Sequence, residues 1–147
     1  MNARRILSNT FKDVLHSFVG EKIVVACREG QLRCMGKLIE ITDEYVNVSE
    51  ASKSKYIPLN NIYGVVLCEK TIPMEIVSQK SESKLFERFR SFLGKRIKVI
   101  RVDCPFWRED GELKKIGEDY FLMNNPEENY VFCAYVDSDV AVQVQIK

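Results

Sequence analysis

A chain of 147 residues fits one ordinary domain or two very small ones. With 46% hydrophobic and 29% charged residues, its composition is that of a folded chain and argues against disorder. The 22 Lys and Arg stand against 21 Asp and Glu, so there is no strong overall field for duplex nucleic acid or an anionic lipid surface, although a local basic patch remains open.

From the N-terminus, MNARRILSNTF lacks the long apolar stretch and small-residue cleavage site of a signal peptide, and no later run is long enough to span a bilayer. A short helix is expected next. Asn9 or Thr10 can cap it, with Asp13 three residues after Thr10, and Phe11, Val14, Leu15 and Phe18 make one apolar stripe. Gly20 ends it. Strand-like segments follow at 23–27, 35–42, 43–50, 55–59 and 62–67. Pro58 places the fourth of these at an edge or a strand end, because proline cannot donate a ladder bond. Residues 68–80, CEKTIPMEIVSQK, read as part strand and part linker, with Ile72, Met74 and Ile76 alternating.

The plan then repeats. SFVGEKIVV at 17–25 returns as SFLGKRIKV at 91–99. Ser81 or Ser83 can cap the second helix, Leu85, Phe89 and Phe92 form its stripe, and Gly94 ends it, as glycine can without Cβ strain. Segments 97–102, 110–117, 118–125, 130–134 and 137–142 match the five strands of the first copy, and CPFWRED forms a bulky tip on the first hairpin. Gly36 and Gly111 are placed where the long second strand bends. Five short strands after one helix, twice, predict a mainly β protein of two tandem small five-stranded barrels, each preceded by a short α-helix. The expected division is residues 1–70, a linker at 71–82, and residues 83–147.

The pattern of helix, Val19-Gly20, Gly36-x-Leu38, Asp43 with Asn47, and Ile62-Tyr63-Gly64-Val65-Val66 resembles the Sm-like (Sm, Lsm, Hfq) superfamily of small SH3-like barrels, more closely in the first copy than in the second, so the resemblance implies two tandem SH3-like or Sm-like barrels. That resemblance implies single-stranded RNA held by turns around a pore, and Asp43, Tyr45, Asn47, Tyr63 and Gly64 would be the residues concerned. It also implies edge-to-edge joining of barrels into oligomers, which answers the hazard of a bare strand edge. Within one chain, the two copies would join through the last strand of one and the fourth of its neighbour. VAVQVQIK at the C-terminus alternates and offers a further edge.

A second candidate surface comes from charge. Arg88, Arg90, Lys95, Arg96, Lys98 and Arg101 fall within a short span with no acid among them, and Phe106 and Trp107 follow. They can hold phosphates and stack bases, anchor a protein interface, or be solvated charges beside rings that cap a barrel. Five cysteines, Cys27, Cys34, Cys68, Cys104 and Cys133, include no CxxC and mostly lie in strand-like runs, which suits reduced thiols in the cytoplasm. The one histidine, His16, lies in the first helix, the acids are scattered, with pairs such as Asp43-Glu44 and Glu118-Asp119 in matched turns, and glycines occur singly, so neither catalysis, a metal site nor a cofactor is expected. The expected function is therefore that of a non-enzymatic assembly or adaptor protein with a protein partner or copies of itself, with single-stranded RNA as the alternative ligand and no membrane partner.

Overall fold

The computed structural model describes residues 4–6, 10–28, 33–67, 74–76, 84–101, 104–125, 130–136 and 142–146. In chain order these form β1 (Arg4–Ile6), α1 (Phe11–Ser17), β2 (Lys22–Cys27), β3 (Arg33–Ile41), β4 (Tyr45–Glu50), β5 (Lys53–Pro58), a 3-10 turn (Leu59–Asn61), β6 (Ile62–Leu67) and β7 (Met74–Ile76). Then come α2 (Lys84–Phe89), a 3-10 turn (Arg90–Phe92), β8 (Arg96–Arg101), β9 (Cys104–Ile116), β10 (Tyr120–Asn125), β11 (Tyr130–Tyr135) and β12 (Val142–Ile146).

The duplication is written in the backbone hydrogen bonds. Thr10 caps α1 by accepting the Asp13 N–H, and after each helix a glycine takes a left-handed conformation, Gly20 at φ 92° and Gly94 at φ 79°. Gly20 N–H donates to the Leu38 carbonyl as Gly94 N–H donates to that of Leu113. Leu59 N–H meets the Glu44 carbonyl as Val136 N–H meets that of Asp119. The β-bulge of β3 at Ile39 recurs in β9 at Lys114. A Cβ on Gly36 would stand 2.6 Å from the Ser49 carbonyl oxygen, and one on Gly111 would stand 2.8 Å from that of Asn124. These two glycines let the next strand approach closely, at the same place in each copy.

The expected pair of separate barrels does not form, and the Sm-like description is corrected with it. Ten of the described strands make one open antiparallel sheet, in the order β12-β8-β9-β10-β11-β6-β2-β3-β4-β5. Neither half closes on itself. The outer side of β6 is occupied by β11, with Val131 opposite Leu67 and Cys133 opposite Val65, so β5 never reaches it. The joint does link the fourth strand of one copy to the last of the other, as the edge argument expects. Alternation along a strand tells which face is apolar; it does not tell whether the free side pairs within its own unit or across to the next.

Two cores form, one on each face of this sheet. On the first face, α1 packs with Ile23, Val25, Leu38, Val46, Val48 and Leu67, and also with Tyr120, Leu122 and Cys133 of the second copy. On the second face, α2 packs with Ile97, Val99, Leu113, Phe121 and Phe132, and also with Ala26 and Tyr63 of the first copy. Strands β10, β11 and β6 therefore bury both of their sides. This accounts for their nearly unbroken apolar runs, YFLM, VFCAY and IYGVVL.

Smaller differences follow the same logic. Residues 104–110 are not a hairpin tip but the first part of β9, with Arg101 paired to Cys104. Among the described residues the last strand of the second copy is Val142–Ile146; residues 137–141 of the expected 137–142 segment lie outside the described residues. Ile97 faces Ile146 as Ile23 faces Leu67, so the connections of the second copy have grown by several residues. The fourth strands are displaced by two residues from the 55–59 and 130–134 match, since Tyr45 faces Pro58 where Tyr120 faces Tyr135. Met74–Ile76, inside the expected linker, pairs in parallel with Arg4–Ile6, a strand that three residues of sequence do not announce. The caps expected at Ser81 or Ser83 and the turn Asp137-Ser138-Asp139 lie outside the described residues.

Candidate functional site

The two ends of the sheet, β5 and β12, are where its hydrogen-bonding edges stop. At the β5 end, the second face of the sheet carries Tyr45 opposite Pro58, Asn47 opposite Tyr56, and Ser49 opposite Ser54. Tyr45 and Tyr56 meet edge to face, with ring centroids 5.3 Å apart. Tyr56 is nonetheless 61% exposed, and Met35 of β3 is exposed on the same face. Asn47 is only 8% exposed, and its Oδ1 has no hydrogen-bond partner among the described residues. A buried amide oxygen left in that state is costly unless something else reaches it.

The equivalent patch in the second copy is not exposed. There, Tyr120 opposite Tyr135 and Leu122 opposite Cys133 lie beneath α1. The Phe11 ring stands 5.1 Å from that of Tyr135, and Phe11 N–H donates to the Asp119 carboxylate at 2.6 Å. Burial pushes the Tyr120 hydroxyl and the Cys133 thiol above their ordinary pKa values. The helices reflect the same asymmetry. The α1 stripe, Phe11, Val14, Leu15 and Phe18, is 0–3% exposed. Leu85, Phe86, Phe89, Phe92 and Leu93 around α2 are only half-buried.

The residues singled out in the sequence are scattered. Asp43 is exposed and ion-paired to Lys12, which holds its carboxyl below the usual range. Tyr45 and Asn47 belong to the patch just described. Tyr63 is buried in the second core with the Arg28 guanidinium 5.6 Å from its ring centre, and Gly64 lies within β6 at the joint, so neither sits in an open turn. A Cβ on Gly64 would stand 2.6 Å from Cζ of Phe132 and 2.7 Å from the Cys133 carbonyl oxygen.

The basic cluster is divided between the two faces of the sheet. Arg88 and Arg90 are exposed on α2 and its 3-10 turn, over the second face, with the Arg88 guanidinium 5.4 Å from the Phe89 ring centre. Arg96 and Lys98 alternate with the buried Ile97 and Val99, so they lie on the first face, opposite Glu112 and Asp110 of β9. Lys95 is exposed in the turn between. Arg101, Phe106 and Trp107 sit at strand positions of β8 and β9, and their side chains lie outside the described residues.

Among the described residues, no three His, Cys, Asp or Glu side chains are placed to hold a metal ion, and no helix is long and apolar enough to cross a membrane. The Cys27 thiol, buried and hydrogen-bonded with Cys34, is pushed up to about 11. An open depression bordered by Glu21, Lys22, Lys37 and Glu50 has mixed charge. Tyr56 was not singled out by the sequence reading; the available signal was an aromatic residue on the polar side of an edge strand, in KSKYIP. The chain matches no family model, no curated protein and no solved structure.

Proposed function

We propose that the protein is a non-enzymatic assembly or adaptor module that works by protein–protein association through its open sheet edges. The observation that carries this reading is the contrast between the two fourth strands. β11 is paired on both sides, with β10 and β6, whereas β5 ends the sheet with Tyr56 and the unsatisfied Asn47 beside it. An edge of this kind either is guarded or has a partner. Lys53 and Lys55 on β5 guard against indiscriminate pairing, which favours a specific partner strand over aggregation. The reading places the protein in the cytoplasm, where thiols such as Cys27, Cys34 and Cys133 stay reduced.

A photoactivatable cross-linker at Lys53, an exposed position on the edge, tests it in cells. The expected result is discrete polypeptide adducts, each identified by mass spectrometry. Adducts to RNA alone, or binding of poly-U or poly-A oligomers at low salt that Arg96→Glu with Lys98→Glu abolishes, would replace this reading with the RNA-binding alternative.

A further inference from the structure

The geometry points to a second copy of this chain as the occupant of the β5 edge: β12 of one molecule pairs with β5 of the next, while α2 of the first covers the Tyr45–Asn47–Tyr56 patch. This rests on the assembly reading above and adds the partner, the register and the covering helix.

The template is the joint already present inside the chain. β11 and β5 are equivalent strands, since each pairs with its own copy's third strand and ends the same bulged meander. β6 and β12 are equivalent too, because each pairs with its own copy's first strand. The β11–β6 pairing is filled once within the molecule, and the equivalent pair, β5 and β12, is left at the two ends of the sheet. With ten strands all antiparallel to their neighbours, β12 of a second molecule meets β5 in the antiparallel sense. Cys133 faces Val65 in the internal joint. Their equivalents are Tyr56, which faces Asn47 as Cys133 faces Leu122, and Val144, which faces Val99 as Val65 faces Val25. Tyr56 of one molecule therefore lies opposite Val144 of the next.

What the joint brings with it matters as much as the strand. In the internal case, α1 arrives over Tyr120, Leu122 and Tyr135, and its stripe becomes fully buried. In the second case, α2 would arrive over Tyr45, Asn47 and Pro58, with Leu85 in the place of Phe11. Two otherwise unrelated features are explained together: the half-buried stripe of α2, and a tyrosine and an unsatisfied asparagine on the outer face at the far end of the sheet. The second joint is the weaker one. Where the internal joint sets Phe132 over Gly64, the equivalent positions are Lys55 and Gln143. The two surfaces differ, so association is head to tail and grows into a ring or a filament.

Light scattering coupled to size exclusion is the test, with the full chain and two variants, Tyr56→Glu and Leu85→Glu. The wild type is expected to rise above the 17.0 kDa monomer mass as concentration increases. Each variant alone should associate at least tenfold more weakly, and an equimolar mixture of the two should form a heterodimer, because each keeps the surface the other has lost. A wild type that stays monomeric overturns the inference. So does association that both variants leave unchanged, which would locate the contact elsewhere. Should Leu85→Glu fail to fold, a photo-cross-linker at position 56 replaces it: adducts to the Val142–Ile146 segment of a second chain support the inference, and their absence overturns it. If the Lys53 cross-linker captures other polypeptides while the chain stays monomeric, self-docking falls and the assembly reading survives.

Discussion

Gly64 shows how much one position can hold. The room for its missing Cβ is already taken by the Phe132 ring and the Cys133 carbonyl, both from the other copy. Gly64→Val should therefore lower stability by about 2–3 kcal/mol in urea denaturation, as overpacking does when backbone must move. An unchanged midpoint would mean that β6 and β11 are not in contact there. Burial of ionisable groups gives a second expectation. The pKa values of Cys27, Cys133 and Tyr120 are all raised by burial, so the unfolded chain ionises before the folded one does. Their stabilising effect is intact below the ordinary thiol value of 9.0 and is lost as pH climbs toward about 11, where Cys27 itself titrates. Urea midpoints measured in reductant should hold to about pH 9 and then decline; a profile flat to about pH 11 would contradict the burial. Gly20 and Gly94 were legible in the sequence because each closes an apolar helical stripe. Gly64 lies in a strand and not in the binding turn the resemblance implied; a Tyr-Gly pair between Ile62 and Val65 looks the same whether the glycine makes a turn or admits a neighbouring ring.

Elements whose signal is local were read well. The α1 cap, stripe and terminating glycine all lie within a dozen residues, and Thr10→Ala should cost about 1 kcal/mol, seen as a lower urea midpoint, because the Asp13 N–H loses its acceptor. No loss would mean that water replaces the cap without cost. Strand existence was legible for the same reason, since alternation is local. Strand limits were less so. Residues 104–110 carry Pro105, two rings and three charges, a composition that suits a loop, yet pairing with β8 draws them into β9. Tertiary pairing overrides local preference in such a stretch.

For the molecule as a whole, what escaped the sequence was the choice of partner for a free strand edge. The same five strands per copy suit a closed unit or an open one, and only the sharing of residues between the two cores reveals which has formed. Tyr120, Leu122 and Cys133 complete the core under α1, and Ala26 and Tyr63 complete the core under α2. Cutting the chain should therefore leave both pieces incomplete. Fragments 1–70 and 83–147 are each expected to lack dispersed amide spectra, while the intact chain unfolds in a single transition by circular dichroism. A well-dispersed spectrum from fragment 1–70 alone would show that the shared core is dispensable. The candidate site was half legible: Tyr45 and Asn47 were found by resemblance, but their place beside an open edge, where Tyr120 and Leu122 lie beneath α1, depends on an asymmetry that two copies of one plan conceal.

The three strands apolar on both sides have one more consequence. In most sheets, a one-residue slip is prevented because it would turn oily side chains to water and polar ones inward. Between β11 and β6 that safeguard is missing, because either face would still meet a greasy neighbour. Only shape can choose the alignment there, and the ring of Phe132 seated over the bare Cα of Gly64 acts as the notch that locks it.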